Sequence, residues 1–246
     1  RIVQPPDEQM ADTALATFGH EKQMRQELKD SFKKYFHSIK IPPITDIELP
    51  NEIAHALSPL TSFIVIARSS IIRDSYRKQI ELIPEPEAPA RLAKQLGIFI
   101  KALAVVAGRK EANWIDYYLT LRVALDIIPR NRLVHIKVLC EADELTTTNC
   151  ALLTNYSTGG SEIILEDLVA LKLLEVDRGG SGKPNTWRLS LKTLGYFNKL
   201  LPDPKENMAQ LHAMFSENDI YEPIIHKILN PEPENQVAQM DLNSKE

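Results

Sequence analysis

Few residues in this chain have the type and spacing to do chemistry. Gly179-Gly180-Ser181-Gly182-Lys183 has the composition of a phosphate loop. The residues on both sides alternate apolar with polar, however, so strands flank it and no helix N-terminus follows to face an anion. A mobile hairpin tip is the simpler reading. There is no GxxxxGK(S/T), GxSxG, HExxH or CxxC, which removes P-loop, serine-hydrolase, zincin and dithiol chemistry. His20, His37, His55, His135, His212 and His226 form no ligand pair on one helix, and each reads as a surface or boundary residue. Cys140 and Cys150 lack a partner histidine at metal spacing and read as buried, reduced thiols. No catalytic or metal-ligating set emerges. What remains is cationic. Arg178, Lys183, Arg188 and Lys192 surround the glycine-rich loop and could follow a phosphate backbone. Arg68, Arg73, Arg77 and Lys78 gather beside Tyr76, where they could face phosphates, a neighbouring subunit or, most simply, water.

The elements that must position these residues belong to an ordinary globular chain. It has 246 residues, 43% hydrophobic and 25% charged, enough for one large domain or two smaller ones. No apolar run reaches the ~18 residues of a membrane span, and no basic-then-apolar leader opens the chain. A cytoplasmic protein without membrane contact is expected. The first residue is Arg1, which suggests a piece of something longer. Of a net charge of −4, residues 202–246 contribute nine acids against three bases, so the acidic excess is a C-terminal extension. A pI of about 5.9 lacks the global basic footprint of a dedicated nucleic-acid binder, so any such contact must come from a local patch.

Asp7 to about Thr17 reads as a short helix closed by Gly19. From His20 to about Ile39, the residues Met24, Leu28, Phe32, Tyr35, Phe36 and Ile39 recur at three- and four-residue steps. This predicts one buried stripe on a Lys- and Glu-rich helix. After Pro50 a helical pattern breaks at Ser58-Pro59, which predicts a cap and a new helix to about Ser69. Ile71–Ile83 allows a strand pair or an irregular loop. Ala88–Ala107 is a regular helix striped by Leu92, Leu96, Phe99, Leu103 and Val106, and Asn113–Ile128 is another. Beyond Pro129, three helices over Arg132–Glu141, Thr146–Tyr156 and Ser157–Leu174 precede two alternating stretches, Leu174–Arg178 and Thr186–Ser190. Leu191–Leu201 closes as a helix. Three helices and then a long-looped hairpin is the order of a winged helix, with Trp187 predicted to pack beneath the hairpin. Its third helix carries Glu162, Glu166 and Asp167, which oppose entry into a phosphate-lined groove. DNA contact is therefore expected from the hairpin cations, weak and independent of sequence.

A family resemblance adds to this reading. Pro89-Ala90-Arg91-Leu92-Ala93-Lys94-Gln95-Leu96, the alanine-rich helix to Gly108 and the helix around Asp116–Ile128 resemble the lid of AAA+ ATPases of the minichromosome-maintenance and magnesium-chelatase-like groups. Arg1-Ile2-Val3-Gln4-Pro5-Pro6-Asp7 resembles the stretch by which such proteins leave the core sheet after sensor 1. The resemblance implies that Arg91 is a sensor-2 arginine, approaching the γ-phosphate of a nucleotide held elsewhere. A guanidinium is permanently charged and offers a fork of donors. A contact made only with triphosphate would report nucleotide state. Walker A, Walker B and sensor 1 are missing, and residues 40–86 exceed a simple lid. The implied protein is thus a non-catalytic fragment, not an enzyme by itself. It would work with an upstream ATPase core in cis, ATP and Mg belonging to that parent and no cofactor to the fragment.

The expected fold is mainly α, a helical lid domain followed by a winged helix with a small β-hairpin wing. The expected divisions are an N-terminal helical region 1–86, a lid 87–129, a winged helix 130–201 and an acidic extension 202–246. Two alternatives stay open. One is a protein-interaction or homo-oligomerisation module docking through the acidic third helix and the N-terminal helices. The other is a transcriptional regulator with 1–129 as its effector domain, against which the acidic third helix argues.

Overall fold

The computed structural model describes residues 7–38, 41–180, 182–200, 224 and 227. The opening motif up to residue 6, Ile39, Ser181, His212, His226 and most of the acidic extension lie outside the described residues. The architecture is mainly helical with two small antiparallel sheets. Among the described residues no helix is long and apolar enough to cross a membrane.

Helices α1 (Asp7–Thr17) and α2 (Glu21–Ser38) come first, separated by Gly19 at a φ of 84°. That left-handed turn is inexpensive for glycine alone. The stripe of α2 is real, but it is not buried. Met24, Leu28, Phe32, Tyr35 and Phe36 are all exposed. Spacing reveals an apolar face without revealing what covers it, and here the Phe36 ring meets Phe32 in a stacked pair and Tyr35 edge-on along the helix itself. The Tyr35 hydroxyl donates to the Val106 carbonyl at 2.9 Å, tying this end of α2 to the helix described next but one.

Helix α3 (Asn51–Ala67) runs unbroken through Pro59, contrary to the expected restart at Ser58. Proline costs it an intrahelical bond. Burial of Ile53, Leu57, Leu60, Phe63 and Ile64 on the same face holds the helix together regardless. Strands β1 (Ile72–Arg73) and β2 (Ile80–Leu82) form an antiparallel hairpin, resolving the ambiguous stretch. Helix α4 (Pro89–Val106) buries Leu92, Leu96, Ile100, Ala104 and Val105, whereas Val106, expected on the stripe, is exposed. Helix α5 (Trp114–Leu125) opens with a capping box. The Asn113 side chain accepts from backbone amides, and Asp116 accepts from the Asn113 amide at 2.9 Å. Arg109 grips the same carboxylate with two donors at 2.7 and 2.8 Å.

The last part reads α6 (Arg130–Glu141), β3 (Leu145–Thr146), α7 (Thr147–Thr154), α8 (Thr158–Ala170), β4 (Leu174–Asp177), β5 (Thr186–Leu189) and α9 (Leu191–Phe197). Its sheet has the order β3-β5-β4, all antiparallel. The two-residue β3 escaped sequence reading because alternation needs a longer run to register. Leu145 pairs with Trp187 and Thr146 with Thr186. Buried residues from Ile47 to Phe197 form one continuous cluster, and Phe63 of α3 meets Phe197 of α9 edge to face at 5.2 Å.

Candidate functional site

The four hairpin cations have different surroundings. Arg188 sits opposite Glu175 in the β4–β5 register and bonds its carboxylate at 3.0 Å, so much of its charge is already matched. Lys192, on α9, lies 5.9 Å from the centroid of Tyr196, within cation–π range. Arg178 and Lys183 are exposed and have no ion pair among the described residues. The loop carrying them is tightly folded. A Cβ at Gly179 would lie 2.6 Å from the Cβ of Lys183 and 2.7 Å from the Pro184 carbonyl oxygen. Beneath it Trp187 is buried, its indole donating to Thr147 Oγ1 at 2.9 Å.

Helix α8 does not present a bare acidic face. Arg73, from the end of β1, donates to Asp167 at 2.8 Å, to Glu166 at 3.0 Å and to the Ile163 carbonyl at 3.0 Å. Burial alone would lower the pKa of this guanidinium, but the bonds to Asp167 and Glu166 outweigh it and hold it above its ordinary value. Arg132 of α6 approaches the other oxygen of Asp167 at 3.5 Å. The same side chain donates to the carbonyls of Ala67 and Ser69 where α3 ends. Two acids that would repel phosphate are therefore consumed internally, and Glu162 stays exposed. The four-cation cluster of the sequence also separates. Arg68 pairs with Glu87, Arg73 docks on α8, and Arg77 and Lys78 stand at the β1–β2 tip with Tyr76. Residue types could flag this cluster. Only the hairpin register shows that its members point to different partners.

Arg91 is the third residue of α4, 76% exposed, with its guanidinium 3.6 Å from Glu87. An exposed pair of this kind is worth little and leaves the head group available. Behind it, α3 and α4 enclose an apolar groove of about 680 Å³ lined by Ile44, Leu57, Ala90, Ala93, Lys94 and Lys101 among others. No described contact joins Arg91 to the hairpin cations.

His135 is the clear exception to the surface reading of the histidines. It is fully buried, with Nδ1 2.7 Å from the Asn131 carbonyl and Nε2 3.0 Å from Ser161 Oγ. A serine and histidine at this distance have the form of a nucleophile and its base. Ser161 is equally buried, so the pair joins α6 to α8 and reaches no substrate. Both cysteines are free thiols. Burial pushes that of Cys150 up to about 11 and that of Cys140 higher still, which makes them poor nucleophiles. Among the described residues no cluster of His, Cys, Asp and Glu could hold a metal ion.

No protein-family model, no curated protein and no solved structure matches the chain.

Proposed function

We propose that the chain is the lid and winged-helix end of an AAA+-type ATPase, in which Arg91 senses nucleotide held by a core in cis and the β4–β5 hairpin makes weak, sequence-independent DNA contact. One observation carries the winged-helix part of this reading. The order α6-β3-α7-α8-β4-β5, with β5 hydrogen-bonded between β3 and β4, is the order expected of a winged helix. The exposed Arg178 and Lys183 on that hairpin supply phosphate-seeking charge, and the exposed Arg91 is free to turn towards a nucleotide. Titration of a labelled duplex, followed by anisotropy at about 50 and about 200 mM salt, tests the DNA half. Binding should weaken steeply with salt and with Arg178→Glu or Lys183→Glu. Salt-insensitive binding, or binding indifferent to both variants, defeats it. For the lid half, Arg91→Ala in the parent protein should slow ATP hydrolysis and leave DNA affinity of the isolated chain unchanged.

A second reading, a self-association module, is favoured by one specific feature, the exposed stripe of α2. Sedimentation velocity tests it: a concentration-dependent dimer abolished by Leu28→Lys supports it, and a strict monomer removes it.

A further inference from the structure

The β1–β2 hairpin ends in an aromatic ring that the fold neither buries nor uses. Tyr76 is 89% exposed, far more than a tyrosine needs in order to wet its hydroxyl. Arg77 and Lys78 follow it directly, both exposed. The tip is held rigidly. Asp74 accepts from the amides of Tyr76 at 2.9 Å and Arg77 at 2.6 Å, and its own amide donates to the Gln79 carbonyl at 2.9 Å. Those backbone bonds, that of Tyr76 foremost, hold the Asp74 carboxyl below its ordinary range. Lys78 takes a left-handed φ of 57°, and Arg73 rivets the base of the hairpin to α8 as described. A ring carried on an ordered turn needs little backbone rearrangement when a flat partner meets it.

The same rivet brings this hairpin alongside the β4–β5 hairpin. Between them lies a groove of about 530 Å³, with Gln79 and Ile80 on one wall, Arg178, Asn185 and Trp187 on the other, and Val169 and Glu166 of α8 in its floor. Of the cations, Arg178 lines the groove itself, whereas Tyr76, Arg77 and Lys78 directly precede the lining residue Gln79 at the exposed tip of one hairpin and Lys183 lies two residues before the lining residue Asn185 in the loop of the other. The acids in reach are largely engaged, Glu166 by Arg73 and Asp74 by backbone amides, with Asp177 left exposed. A groove of this size is far too small for a duplex. Cations on both hairpins and an exposed ring on an ordered turn are what a single strand requires. Its phosphates follow the charges, and its bases stack on an aromatic face regardless of sequence.

We propose that the cleft between the β1–β2 and β4–β5 hairpins binds single-stranded nucleic acid, with a base stacked on Tyr76 and the backbone held by Arg77, Lys78, Arg178 and Lys183. This deepens the DNA-contact reading above and rests on it for the second hairpin. The test uses the full chain and three fluorescein-labelled probes, an oligothymidylate of about 20 nucleotides, the corresponding oligouridylate and a duplex of equal length. The oligothymidylate should bind more tightly than the duplex. Tyr76→Ala should weaken single-strand binding about ten-fold, Tyr76→Phe should restore it, and duplex binding should barely change. Tyr76→Trp should show indole fluorescence quenched on addition of either single strand, and the strand that quenches at lower concentration identifies the sugar preferred. Arg178→Glu and Lys183→Glu should weaken all probes. Because Tyr76 is exposed, Tyr76→Ala should melt as the parent does. Single-strand binding unchanged by Tyr76→Ala, but weakened by the Arg178 and Lys183 variants, overturns the cleft and leaves the DNA reading intact. Absence of binding to every probe overturns both.

Discussion

His135 and Tyr118 are both fully buried, and only one of them is satisfied. His135 uses both ring nitrogens, whereas the Tyr118 hydroxyl is the one buried side-chain polar atom among the described residues without a hydrogen-bond partner. Desolvation pushes the Tyr118 phenol up to about 12. Tyr118→Phe removes an unmet polar group and keeps the ring packing, so it should leave stability unchanged or raise it by about 1 kcal/mol, read from a urea midpoint. Burial lowers the His135 pKa, and its bond to the Asn131 carbonyl only partly opposes this. Its folded pKa lies below the unfolded value of about 6.5, so the unfolded chain takes up a proton that the folded chain resists. The neutral ring's contribution is full above about pH 6.5 and is lost as pH falls through the folded pKa. Between about pH 7.5 and about 5.5 the wild type should lose more stability than His135→Gln, whose residue 135 does not titrate. Equal losses in the two proteins would remove His135 as the source. Sequence could not single out His135 from the other five histidines. Burial depends on α8 crossing α6 so that Ser161 meets the ring, which is a long-range fact.

At the scale of elements, two arginines tie α8 to its neighbours. Arg132 joins the end of α3, through the Ala67 and Ser69 carbonyls, to Asp167. Arg132→Met keeps the length of the side chain but leaves those acceptors unmatched, and should cost about 3 kcal/mol in a denaturant titration. Local elements were legible where their signals are local. Gly19 ends α1, Asn113 and Asp116 start α5, and Trp187 packs under its hairpin, all within reach of capping and alternation rules. Reading failed where tertiary packing decides. Pro59 sits inside α3 because the helix is buried along one side, and the apolar face of α2 stays exposed although Tyr35 at its end reaches Val106 of α4. The candidate site was legible as residue types and not as geometry. Arg73, Arg77 and Lys78 are near neighbours in sequence, yet one is a structural bolt and two are free at a tip.

Beyond α2, helices α3–α5 and the α6–α9 part share one buried cluster, with Phe63, Phe197 and Ile224 in it. Such a shared interior makes partial unfolding expensive, because opening either side exposes apolar surface on both. Calorimetry should show a single cooperative transition, with calorimetric and van't Hoff enthalpies in agreement; two resolved peaks would contradict the shared core. The bond from Arg132 to the last turn of α3 and the bond from Arg73 to α8 cross the same junction from opposite elements. A joint welded at its centre and bolted on either side transmits torque instead of absorbing it. Strain placed on the end of α3 is therefore carried into α6 and α8 through Arg132 and its carbonyl and carboxylate partners.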